Sequence, residues 1–324
     1  MKNSKKTFIL IEVVLGILVM ILAATMILGN TKEDLQKISV VVQDSDDTQW
    51  AAFRYGLRMA AQDQGVEMFV VGTESMMTVD EQEAVIEQEL NNGADAVIVQ
   101  PVSGDGEEEM LQRVSSRVPV MLAGTAASAE GGTASLPIVE PDNYSMGKVL
   151  AEELLEDYAG SLKGKTLGIV AETGDTEDSR NRRKGFEDGI EGADARILWS
   201  AAGSFGEAEE NTLGEFPGAD IVIALDDNSL TAAGECAVSN DLHGAVLYGI
   251  GNSTEAVYYL DTGIAECLVV PDEFNVGYRC MTEVAQSLRS FFYEPRSCTV
   301  SHTVIRREEI FSQKNQELLF TMNQ

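Results

Sequence analysis

Histidine, the side chain most used to move protons near neutral pH, occurs only at His243 and His302 in a chain of 324 residues. Neither belongs to an H-E-x-x-H motif and no serine stands in G-x-S-x-G, so no catalytic set is assembled and an enzyme is not expected. The segment AGSLKGKT, Ala159 to Thr166, fits a permissive phosphate-loop spelling. That loop works only with a strand before it and a helix after it, so that backbone amides face phosphate; here a helix precedes and a strand follows. The acidic runs Asp44 to Asp47 and Glu107 to Glu109 lack the spaced ligands and glycine of a calcium loop. Four cysteines, Cys236, Cys267, Cys280 and Cys298, show no C-x-x-C spacing that would suggest zinc. They allow three complete pairings. A helix leaving Cys280 and a strand returning through Cys298 could join that pair, and buried free thiols are the alternative.

The pattern after residue 36 is regular. Lys37 to Gln43 (KISVVVQ) reads as a buried strand and Thr48 to Gln64 as a helix with Phe53, Leu57, Met59 and Ala60 on its apolar face, closed by Gly65. The unit repeats: strand from Val66 to Val71, helix from Val79 to Asn92 capped by Gly93, strand from Ala96 to Val99, helix from Glu107 to Ser116, strand from Val118 to Leu122. A second series after Asp142 places strands at Thr166 to Val170, Arg196 to Trp199, Ile221 to Ala224, Ala245 to Tyr248 and Cys267 to Val270. Near-continuous Val/Ile/Leu strands alternating with amphipathic helices imply parallel sheets covered on both faces. LPIVEP, Leu136 to Pro141, reads as the break between two such sheets. The expected fold is α/β, with two doubly wound lobes. One comprises 37–141 plus about 271–300, the other 142–270 plus about 301–324.

Composition narrows the function classes. Hydrophobic residues make up 44% of the chain, enough for a packed core. Acidic residues number 53 against 23 basic ones, a formal charge of −30 spread along the chain, so nucleic acid is not an expected partner. The run from Phe8 to Leu28 would be roughly 31 Å long as a helix and could cross a ~30 Å hydrocarbon core. No small-x-small cleavage site follows it directly, and Lys2, Lys5 and Lys6 precede it. It reads as an uncleaved single-pass anchor with a cytoplasmic stub at 1–7, a linker at 29–36 and the body outside the cell. FILIEV at its head is similar to the start of a type IV pilin, with Glu12 as the assembly glutamate. Pilin processing wants Gly before the Phe, where this chain has Thr7.

Seven blocks, in order, carry a wider likeness: KISVVVQDSDDTQW, NNGADAVIVQPVSGD, VPVMLAG, EPDNYSMGKVLAEEL, GDTEDSRNRRKGFEDGI, ADIVIALDDNSLTAAG and VVPDEFNVGY. From about residue 37 to 320 the chain resembles the type I periplasmic-binding-protein family, in its ribose- and galactose-binding branch, which also serves as the effector domain of sugar-responsive repressors. A repressor would need a helix-turn-helix where this chain has its apolar run. The resemblance implies a small polar, sugar-like ligand held between two lobes, and a membrane partner such as an ABC permease or a sensor kinase. It implies no cofactor, no metal and no catalytic residue.

Carried over loop by loop, the resemblance makes Trp50 a stacking surface for a sugar ring, with Gln49 beside it and Asp47 as a polar hydrogen-bonder. In RNRRKGF it makes Arg180 the ligand's guanidinium, with Arg182 and Arg183 facing solvent. Phe205 stands where a second aromatic is common, and Asp226 where an Asn or Asp accepts from sugar hydroxyls. Asp142 and Asn143 read as helix-entry residues. Three positions depart from the family pattern: Gly124 and Thr125 replace an Asp and a polar neighbour, Gly251 replaces an Asp, and Pro271 a Gln. Thr125 stays in the candidate set. Fewer hydroxyl partners put a simple ribose or galactose ligand in doubt.

Overall fold

The structure is a computed structural model that describes residues 15–20, 35–43, 51–73, 78–102, 104–124, 136–172, 177–203, 212–290 and 292–320. Residues 1–35 and 36–324 form separate compact units. Within the first, residues 15–20 are helical and exposed, and the rest of the expected span 8–28 lies outside the described residues. Among the described residues no helix is long and apolar enough to cross a membrane.

The second unit holds two six-stranded sheets built to one plan. In the first, β1 (Lys37–Gln43), β2 (Glu67–Thr73), β3 (Ala96–Val99), β4 (Val120–Ala123), β5 (Ile138–Pro141) and β11 (Cys298–Val300) lie in the order β11-β5-β4-β3-β1-β2, all parallel. In the second, β6 (Thr166–Glu172), β7 (Arg196–Gly203), β8 (Ile221–Ala224), β9 (Val246–Ile250), β10 (Ala265–Pro271) and β12 (His302–Arg306) lie in the order β12-β10-β9-β8-β6-β7. Only β12 in this sheet runs antiparallel to its neighbour, β10. Both follow the 2-1-3-4-5 winding of open α/β sheets. In β1, Ile38, Val40, Val41 and Val42 have no exposed surface, as an inner strand covered on both faces requires.

The first sheet is flanked by α1 (Ala51–Gln64), α2 (Val79–Asn91) and α3 (Glu107–Ser115). The second is flanked by α4 (Asn143–Asp157), α5 (Glu177–Gly189), α6 (Asp227–Val238) and α7 (Thr254–Thr262). α8 (Glu273–Arg289) leaves the second sheet and packs back on the first, and α9 (Gln313–Phe320) ends the chain against the core of the second. Gly65 and Gly93 take positive φ just past α1 and α2, the left-handed turn that ends a helix. α2 starts in a capping box: Thr78 accepts from the Glu81 amide, and the Glu81 carboxylate accepts from the Thr78 amide at 2.8 Å.

LPIVEP is not a break but the strand β5. Two prolines make it look like punctuation, because proline cannot donate to a ladder. Here they only have to accept: the Pro137 carbonyl takes the Leu122 amide at 2.8 Å, and Val139 takes that of Gly124 at 2.9 Å. All four cysteines are free thiols, so the expected Cys280–Cys298 bond is not present, although both side chains pack in the same apolar cluster under the first sheet.

The chain passes between the lobes at three places, and at two of them the sequence is Pro-Asp. Asp142 caps α4 by accepting from the Ser145 amide at 3.0 Å, and Asp272 caps α8 by accepting from Asn275 at 3.1 Å. Each capped helix then meets one partner backbone to backbone. Gly56 of α1 lies against the Phe274 carbonyl of α8, and Gly277 of α8 against the Phe53 carbonyl of α1. In the second lobe Gly147 of α4 lies against the Arg182 carbonyl of α5, and Gly185 of α5 against that of Tyr144. A Cβ at any of these four would collide with main chain, which cannot swing aside.

Gly→Ala inside a helix ordinarily stabilises by about 0.5–1 kcal/mol. At Gly56, Gly147, Gly185 or Gly277 the collision reverses the sign, and each alanine variant should lose about 1–3 kcal/mol in urea unfolding. A gain would show that the helices do not approach so closely.

Candidate ligand-binding cleft

Both helix crossings open onto the carboxyl ends of the second sheet's strands, where open parallel sheets generally take ligands. A cavity of about 160 Å³ lies there. Its floor is made by strand ends and the turns after them: Glu172 closes β6, Ile250 closes β9, and Asp226, Gly251 and Asn252 follow β8 and β9. Arg182 enters from α5, and the far wall is Pro271 and Glu273, the point where the chain leaves for the first lobe.

Most of the polar groups are tied to the scaffold. Asp226 caps α6, one carboxylate oxygen accepting from the Ser229 amide at 2.8 Å and the other from the Glu172 amide at 2.8 Å, so it binds β6 to β8. Asp227 accepts from the amides of Asn252 at 2.7 Å and Ser253 at 3.0 Å. Burial raises its pKa, and those hydrogen bonds oppose the rise. A Cβ at position 251 would run into that carboxylate, which is the physical reason for Gly251 where the resemblance expects Asp. Glu172 accepts from the Asn228 side chain at 3.1 Å. Arg182 donates through Nε to Asn143 at 2.7 Å and through Nη1 to the Leu225 carbonyl at 3.1 Å, and Asn143 in turn donates to Asp178.

Two carboxyls differ. Glu273, the first residue of α8, and Glu140, next to last in β5, make no hydrogen bond or ion pair among the described residues. Burial pushes the Glu273 pKa to about 7, Asp178 and Asp272 adding to the rise and Arg182 opposing it. Burial also pushes Glu140 to about 7, helped by Asp178, Glu177 and Asp142. At the crossing, His302 pairs across the ladder with Pro271; its Nδ1 is buried without a partner, and burial lowers its pKa while Asp142 opposes.

Of the residues that the sequence nominated, Asp226 lines the cavity. Asp47, Gln49, Trp50, Thr125 and Phe205 lie outside the described residues. Arg180 is exposed on α5. Arg182, expected to face solvent, is half-buried and lines the cavity. Helix phase carries the signal for it: Gly185 and Phe186 are the buried residues of α5, and position 182 lies three and four residues before them on the same face. Arg183 is exposed, donating to Glu187 at 2.8 Å and Ser200 at 2.9 Å. Asp142 is the helix cap it reads as, whereas Asn143 also bridges Arg182 to Asp178. Glu273 carries no such signal, since an acid in the first turn of a helix is ordinary.

Both raised carboxyls favour the protonated form in the folded state, so their contribution is fully present below the unfolded value of 4.5 and is lost as pH rises through about 7. The double variant Glu140→Gln, Glu273→Gln should therefore melt a few degrees higher than the unsubstituted chain at pH 8, with the gap closing toward pH 4.5. A constant gap across that range would show that the two groups are not the source.

Among solved structures, a glucose-galactose binding protein (GanP) from Geobacillus stearothermophilus is 18% identical, with a TM-score of 0.73 over 86% of this chain and 100% of that one. A carbohydrate transporter solute-binding protein from Agrobacterium radiobacter, in complex with D-arabinose, is 17% identical, with a TM-score of 0.75 over 89% and 100%. A chain of the XylFII–LytSN complex is 12% identical, with a TM-score of 0.68 over 85% and 98%. No curated protein sequence matches the chain. The family model described as periplasmic binding protein domain matches residues 38–290. With that match spanning most of its length, and with two like-wound lobes meeting at a polar cavity, the chain belongs to the periplasmic binding protein family, whose members bind ligands rather than transform them.

Proposed function

We propose that this chain is a membrane-anchored, extracellular solute-binding protein that closes its two lobes on a small polar ligand of sugar type and hands it to an ABC importer. The observation that carries the reading is the cavity itself. One wall is built from strand ends of the second lobe and the other from the first residue of α8, whose body packs on the first sheet. A molecule held by both gains its contacts in the closed arrangement, which is how hinged binding domains couple occupancy to shape. The glucose-galactose and D-arabinose names of the structural neighbours support a sugar-like ligand, and the transporter in the second name supports import. The anchor and its orientation rest on the apolar run Phe8 to Leu28 and the lysines before it. In this reading Trp50 and Phe205 supply ring faces, with Asp47, Gln49 and Thr125 as polar partners beside them.

A second reading keeps the binding fold but hands the ligand state to a sensor kinase or receptor. The resemblance to a chain of the XylFII–LytSN complex favours it, since that neighbour is named together with a second protein. Co-purification from membranes separates the two: permease subunits support import, and a signalling partner supports sensing.

The pocket assignment is tested by isothermal titration across a panel of pentoses, hexoses and cyclic polyols. Arg182→Ala should weaken binding of the best sugar by about tenfold to a hundredfold, the worth of charge-assisted hydrogen bonds. Arg180→Ala should change it less than about threefold, as expected for an exposed side chain away from the ligand. Thermal midpoints confirm that both variants fold. Equal losses, or a loss at Arg180 alone, would move the site.

A further inference from the structure

We propose, resting on the sugar-type reading above, that Glu273 makes the cleft prefer a small polyol bearing a protonated amine, an amino sugar, over the neutral sugar of the same shape. Among the described carboxylates that line the cavity, only Glu273 is uncommitted. Asp226 and Asp227 are spent on backbone amides, and Glu172 accepts from Asn228. Glu273 faces the same space with no hydrogen bond or ion pair to any described residue. Arg182, the cation nearest to hand, acts on it electrostatically but forms no ion pair with it; its Nε and Nη1 donate to Asn143 and to the Leu225 carbonyl. A partly buried carboxyl without a partner is costly unless something arrives to complete it.

The groups around Glu273 settle which kind of completion fits. Asp178 on α5 and Asp272 at the cap of α8 raise the cost of its charge, and Arg182, the strongest of the charges acting on it, lowers that cost without forming an ion pair. Glu273 itself therefore supplies the preference. A hydroxyl can donate to its carboxylate, whereas an ammonium group donates and also pairs its charge. The proton balance follows directly. With its pKa pushed to about 7, Glu273 is part-protonated in the empty cleft near neutrality. Binding of an ammonium favours the carboxylate, so the proton leaves Glu273 as the ion pair forms, passing in part to the fraction of the amine that is still neutral and otherwise to the buffer.

The test is isothermal titration of the full chain at pH 7 with D-glucosamine and D-galactosamine against D-glucose and D-galactose, in two buffers of different ionisation enthalpy. The amino sugars should bind about tenfold or more tightly than their parents, with a buffer-dependent heat that reports proton release. Glu273→Gln, with a thermal midpoint showing that it is folded, should bring the preference toward one and abolish the release. Neutral sugars binding as tightly as the amino sugars, or a preference that survives in Glu273→Gln, overturns the proposal and leaves the sugar-type reading standing. Binding of none of the four sugars overturns the proposal and counts against that reading as well.

Discussion

Everything at the cleft depends on two places where helices touch main chain to main chain. α1 meets α8 at Gly56 and Gly277, and α4 meets α5 at Gly147 and Gly185, and no side chain fits between them. Rigid backbone contact sets the position of a helix far more tightly than interleaved side chains, which can repack. The α4–α5 contact brings Asn143, at the head of α4, to within 2.7 Å of Arg182 and so aims the guanidinium at the strand ends. The α1–α8 contact does the same for the first lobe: it seats α8 on the first sheet, and the first residue of that helix then falls at the cavity of the second. Because both helices are entered through a Pro-Asp crossing with the aspartate as cap, the hinge, the cap and the cavity wall are one short piece of chain.

The electrostatics follow from that geometry. Packing two crossings and two helix heads together gathers Glu140, Asp142, Asp178, Asp272 and Glu273 in a small volume with only partial access to water. Burial disfavours the charge of Glu140 and Glu273 and the neighbouring carboxylates add to the effect, with Arg182 opposing it at Glu273, so both pKa values are pushed up to about 7. In an empty binding domain this is tolerable, because protonation removes the conflict. It also links protonation of the cleft to any ligand that meets Glu273.

The two α/β lobes are legible in the sequence because their inner strands are near-continuous Val, Ile and Leu, and their helices end at Gly65 and Gly93. Where the reading fails, a long-range contact decides the outcome. LPIVEP looks like a linker until β4 and β11 are placed on either side of it, when its prolines need only accept hydrogen bonds. The place of Arg182 at the cavity is recoverable from helix phase, which the resemblance read loop by loop, with its solvent-facing Arg182, does not use. Glu273 is not recoverable, since its burial depends on α5 and two chain crossings that no local pattern reveals. Gly251, which reads as a lost hydrogen-bonder, is a space vacated for Asp227, whose carboxylate serves two amides there.

In the proposed function one ligand is held at once by the turns of the second lobe and by the head of α8. Amide hydrogen exchange on the full chain, with and without the tightest sugar from the titrations, measures this directly. Exchange should slow together in residues 226–228, 250–252 and 272–276 when the ligand is present. Slowing confined to the first two segments, with the head of α8 unchanged, would contradict it.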